Sequence, residues 1–122
     1  MKLKIYETYY FHFSFHFMQY ISFDFEHQCL GEIGHLGILG IIYESYTTSF
    51  GNEHKCSIEL IDYEETKSLM KGILRVKNED FIQVYSSMLM TIFYKTMACN
   101  FKRIEYGPSL LSITNTSYLI NF

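Results

Sequence analysis

The chain has 122 residues, 48% of them hydrophobic and 19% charged, which fits one packed domain spanning 1–122 and excludes a disordered polymer. A net charge of −3 is far from the basic excess of a dedicated nucleic-acid binder, and three widely spaced cysteines are not a disulfide framework. No run of about 18–20 apolar residues occurs, so no membrane-spanning helix is expected, and a reducing, cytoplasmic setting is the simplest reading.

The N-terminal third alternates. Odd positions from Leu3 to Phe25 are almost all apolar or aromatic, while even positions carry Lys2, Lys4, Thr8, His12, Ser14, His16, Ser22, Asp24 and Glu26. Period two over this length predicts β structure with one buried face, as one long strand or as two joined near Met18 and Gln19. Glycines follow at 31, 34, 37 and 40, and Gly31 to Gly37 is a candidate phosphate cradle. Leu36 to Phe50 is expected to be extended, with a turn at Phe50–Glu53 and a returning strand through Cys56, Ile58 and Leu60.

Asp62 with Glu65 three residues on has capping-box spacing, predicting a first helix with Leu69, Met70, Ile73 and Leu74 inward. Asn78 predicts the start of a second helix of about 20 residues, with Phe81, Val84, Tyr85, Met88, Leu89 and Ile92 recurring at helical spacing. Phe101–Tyr106 is expected as a strand, Gly107–Pro108 as a turn, and Leu110–Phe122 as closing strands. The expected architecture is α+β, an antiparallel sheet in the order βββααββ with two helices packed on it.

Three constellations bear on function. Tyr6, Tyr10, His12, His16, Tyr20, Asp24 and Glu26 share the polar face of the N-terminal strand, an acidic and aromatic surface of the type that protein partners use. Met88, Met90 and Met97 extend the case for a partner or homodimer surface. Lys67, Lys71 and Arg75 recur every four residues as a basic stripe that would meet nucleic-acid phosphates. His27/Cys29 and His54/Cys56 are two His-x-Cys units that would supply a Cys2His2 zinc site if adjacent strands brought them together.

Charge is segregated along the chain: residues 1–65 hold three basic against ten acidic side chains, residues 66–122 seven against three. A small chain, rich in residues that AT-rich codons encode and without a catalytic motif, suits a non-catalytic inhibitor of immunity-protein or phage anti-defence type. Its acidic surface would block a basic nuclease or nucleic-acid-binding effector. The alternatives are a small zinc- or ligand-dependent enzyme using His27, Cys29, His54 and Cys56, and an RNA- or DNA-binding module. No cofactor other than that zinc is expected.

Overall fold

The computed structural model describes residues 18–53 and 56–110. In chain order these form β1 (Met18–Glu26), α1 (Gly34–Phe50), β2 (Ile58–Glu65), β3 (Leu69–Lys77), a 3-10 turn (Asn78–Asp80), α2 (Phe81–Met90), the short hairpin strands β4 (Phe93–Tyr94) and β5 (Met97–Ala98), and β6 (Asn100–Gly107). The main sheet is antiparallel in the order β2-β3-β1-β6, and β4 and β5 form a separate ribbon. The fold is α+β, with an antiparallel sheet and two helices.

The alternation read from the sequence holds through β1. Ile21, Phe23 and Phe25 point into the core, and Tyr20, Asp24 and Glu26 lie on the opposite, outer face. The core side of the sheet is completed by Met70, Leu74 and Val76 of β3, Ile58 and Leu60 of β2, and Phe101 of β6. Against it pack Ile38, Ile41, Ile42 and Tyr46 of α1 and Phe81, Val84 and Met88 of α2. At roughly 1.5–3 kcal/mol for each large apolar side chain removed from water, this face is what holds the helices to the sheet.

Two segments exchange the secondary structure expected of them. Gly34–Phe50 is a helix rather than a strand. Its Ile38, Ile41, Ile42 and Tyr46 recur at i, i+3, i+4 and i+8, and burying that stripe outweighs the poor propensity of glycine, isoleucine and threonine. The strand expected through Ile58 and Leu60 is present, but the segment from Asp62 to Lys77 continues it and adds a second strand in place of the expected helix. The four-residue spacing that suggested a helix also keeps residues on one face of a strand, so both periods satisfy it. The Phe50–Glu53 turn ends α1 instead of closing a hairpin: Gly51 takes a positive φ of 88° and its N–H donates to the Thr47 carbonyl.

The second helix is shorter than expected. Asn78 caps nothing, because its side-chain oxygen accepts from Gln19 Nε2 and a 3-10 turn precedes α2. After Met90, Thr91 turns extended and the β-prone Ile92-Phe93-Tyr94 starts the β4–β5 hairpin, whose turn residue Lys95 has φ 55°. The expected strands at 3–17 and 111–122 lie outside the described residues.

Candidate functional site

Two residue sets that the sequence kept apart lie on one surface. Lys71 and Arg75 belong to β3 and face outward with the predicted partner residues of β1. Register pairs Tyr20 with Arg75 and Asp24 with Lys71. Arg75 is ion-paired with Glu59 of β2, and the hydrogen bonds its guanidinium donates, to Glu59 first and Tyr20 second, hold it above its ordinary pKa. Lys67, expected on the same helix, sits exposed in the β2–β3 turn.

Asp24 and Glu26 are paired from the other side by β6. A bulge between the Ser22–Glu105 and Asp24–Lys102 pairs inserts one residue into β6, with Arg103 at φ 49°. Successive residues of a regular strand alternate faces, and the bulge lets Lys102 and Arg103 both turn outward. Arg103 Nη1 lies 3.2 Å from Asp24 Oδ2 and Lys102 Nζ 2.9 Å from Glu26 Oε1. On the outer face the acidic Asp24, Glu26 and Glu59 are each paired with a basic side chain, around the buried, uncharged Ser22 and Ile73. Tyr6, Tyr10, His12 and His16 lie outside the described residues.

The His-x-Cys units are not brought together. His27 continues β1 past Phe25, opposite Met70, and its N–H donates to the Ser68 carbonyl. Cys56 precedes Ile58, which pairs with Val76 at the other end of β3. At ~3.3 Å per residue, the two ends are on the order of 25 Å apart, too far to share one ion. His27 is buried, stacks on Phe25, and its Nδ1 accepts from the Cys29 N–H, leaving Nε2 buried without a hydrogen-bond partner among the described residues. Cys56 is buried, and burial first, then the Asp80 charge, pushes its thiol up to about 11. His54 lies outside the described residues, and among the described residues no group of three metal-ligating side chains is close enough to hold an ion.

In the glycine segment proposed as a phosphate cradle, two backbone N–H groups are taken by a carboxylate of the chain itself. Glu65, at the end of β2, accepts from the Ile33 N–H at 2.6 Å and from the Gly34 N–H at 3.2 Å, at the N-terminus of α1. Glu65 does cap a helix, though not the one its spacing with Asp62 suggested. Asp62 instead accepts from the N–H of Tyr63, beside the β2 bulge.

Among the described residues, a run of exposed apolar side chains lies elsewhere. Ile82, Leu89, Met90, Ile92 and Phe93 are between 56% and 66% exposed, along the outer side of α2 and the start of the hairpin. Fourteen residues, Phe81–Tyr94, contain no charged side chain between Asp80 and Lys95. At one end the ridge meets an aromatic cluster of Phe81, Tyr85 and Tyr106, with ring centroids 4.9–5.6 Å apart. At the other, Met90, Ile92 and Phe93 form the lip of a cavity of about 220 Å³ between α1 and the hairpin. Its polar lining includes Glu44, Ser45, Thr48 and Thr91. Thr91 Oγ1 donates to the Ser87 carbonyl, so Ser45 Oγ is the donor in the 2.8 Å contact with Thr91.

Of the residues that recur at helical spacing here, Val84 and Met88 are buried while Leu89 and Ile92 are exposed. The uncharged run was the signal that the outward side is apolar too, since a solvated helix face ordinarily carries charge. The sequence matches no protein-family model and no curated protein. No helix among the described residues is long and apolar enough to cross a membrane.

Proposed function

We propose that the protein is a non-catalytic binding protein of the inhibitor or immunity type, which acts in the cytoplasm by covering the surface of a protein partner. The observation that carries this reading is the ridge of Ile82, Leu89, Met90, Ile92 and Phe93. Contiguous exposed apolar side chains favour association, and Phe and Met are among the residue types that protein interfaces concentrate. Met90 adds an unbranched side chain that adapts to what it meets.

The partner proposed is a basic protein such as a nuclease or another nucleic-acid-binding effector. Glu44 stands at the cavity beside the ridge, where a partner's cationic side chain would find a carboxylate next to an apolar lip. The chain's net charge of −3 favours approach of a basic surface. Asp24 and Glu26 lie outside this surface, with their charges engaged by Arg103 and Lys102.

The test is affinity capture on the immobilised full chain from native lysate, run in parallel with Phe93→Asp and Glu44→Lys variants. A basic partner retained by the wild type is expected to be lost with Phe93→Asp. Glu44→Lys is expected to weaken its capture and flatten the salt dependence. Identical capture by all three proteins, or turnover of a small substrate by the purified chain, overturns the reading.

A further inference from the structure

The ridge is uncharged along its whole length, and this bears on what it fits. Ile82 and Leu89 stand one heptad apart on the outer side of α2, with the half-buried, small Ser86 between them. Met90, Ile92 and Phe93 continue the surface to the hairpin. Taking ~200 Å² for a large side chain, the five leave on the order of 600 Å² of mainly apolar area in water. That is at the upper end of the ~300–600 Å² patch carried by a typical monomer. With Tyr106 and the polar rim of Gln83 and Ser86, it approaches the ~800 Å² that each partner contributes to a stable interface.

A two-fold contact places the same patch on itself, so any charge near the axis meets its own copy. A ridge free of charge from Phe81 to Tyr94 meets that condition without a complementary partner. Ser86 lets two helix backbones approach to the ~8 Å lower range of helix packing distances. The ten residues of α2, roughly 15 Å long, allow Ile82 of one copy to reach Leu89 of the other in an antiparallel crossing.

We infer that a second copy of this chain docks on the ridge, α2 against α2 about a two-fold axis near Ser86, and that the free protein is a homodimer. The inference rests on the ridge being a protein-binding surface, as proposed above, and names its occupant before the partner arrives. Partner and second copy then compete for the same side chains, so partner binding requires the dimer to open.

Sedimentation velocity and light scattering of the full chain, from micromolar to near-millimolar concentration, test this. The wild type is expected at twice its 14.5 kDa chain mass, and Leu89→Lys at the chain mass. Leu89 is outside the core, so the far-UV circular dichroism and thermal midpoint of that variant should be retained; Phe93→Lys gives the same readout should Leu89→Lys not fold. In a Cys29→Ser background, Ser86→Cys is expected to form an intermolecular disulfide on mild oxidation, and adding Leu89→Lys should abolish it. A wild type monomeric across the range, or a dimer surviving both lysine variants, overturns the inference. A monomeric wild type whose partner capture is lost with Phe93→Asp removes the dimer and leaves the proposed function standing. A dimer lost in Leu89→Lys, with no partner that needs the ridge, does the reverse.

Discussion

Glu65 shows how one side chain joins distant parts of the chain. Its carboxylate receives two N–H groups at the start of α1, where the helix lacks internal acceptors and the macrodipole favours negative charge. Glu65→Ala is expected to cost about 1–2 kcal/mol in urea unfolding, while exposed Glu64→Ala stays within about 0.5 kcal/mol. Equal effects at the two positions would remove the capping account. Cys56 makes a different prediction. In the folded chain its thiol ionises near 11, against 9.0 for an unperturbed group. Between those values the unfolded chain has released the proton and the folded chain has kept it. The stability that Cys56 contributes is therefore fully present below pH 9 and is lost as pH rises toward 11. Urea midpoints measured from pH 8 to 11 should fall more steeply for the wild type than for Cys56→Ala, and parallel curves would refute the assignment. The same burial should leave Cys56 slow toward thiol reagents at pH 8, with half-buried Cys29 reacting first.

Two glycines separate what helps from what harms at the level of elements. Gly40 lies on the exposed side of α1, and a Cβ built there meets nothing within 4 Å. Gly40→Ala is expected to stabilise by about 0.5–1 kcal/mol through helix propensity and a less entropic unfolded chain. Gly72 of β3 lies directly opposite Phe23 of β1, and its Cβ would come within 2.6 Å of the Phe23 ring. Gly72→Ala should therefore cost about 1–3 kcal/mol, and adding Phe23→Leu should recover part of that by making room. Thermal unfolding of the three variants checks the pair, and a destabilising Gly40→Ala or a neutral Gly72→Ala would contradict it. These elements also mark where the sequence was legible. In β1 the alternation has a single solution, since a one-residue slip would expose Phe23 and Phe25. In β2 and β3 it did not, because Lys71 and Arg75, like Met70 and Leu74, are four apart and share a face in either geometry. For α1 the signal was present in Ile38, Ile41, Ile42 and Tyr46, but its glycines and β-branched residues argued for a strand until packing against the sheet decided otherwise. The site residues were legible only as faces. That Asp24 would meet Arg103 depends on a bulge that no local pattern announces.

Across the whole molecule, strand order converts charge segregation along the chain into attraction within the sheet. β1 and β2 come from the acidic half and β3 and β6 from the basic half. The order β2-β3-β1-β6 therefore places acidic, basic, acidic and basic strands side by side. Glu59 meets Arg75, Glu64 lies opposite Lys71, and Asp24 and Glu26 meet Arg103 and Lys102. Exposed pairs of this kind are individually worth only ~0–1 kcal/mol, but Asp24 is mostly buried at the centre of the array, between Lys71 and the two basic residues of β6. Asp24→Lys would set a fourth positive charge among three, and about 1–3 kcal/mol of stability should be lost at low salt. Raising the salt toward about 0.5 M should shrink that loss, since the Debye length falls below the spacing between strands. Reversing the partner as well, in Asp24→Lys with Arg103→Glu, should recover part of it, because the pair is rebuilt with opposite sign. If the double variant loses the sum of the two single costs, and neither cost depends on salt, the alternation does not help hold the two halves together. The lost stability would then belong to packing around Asp24 alone.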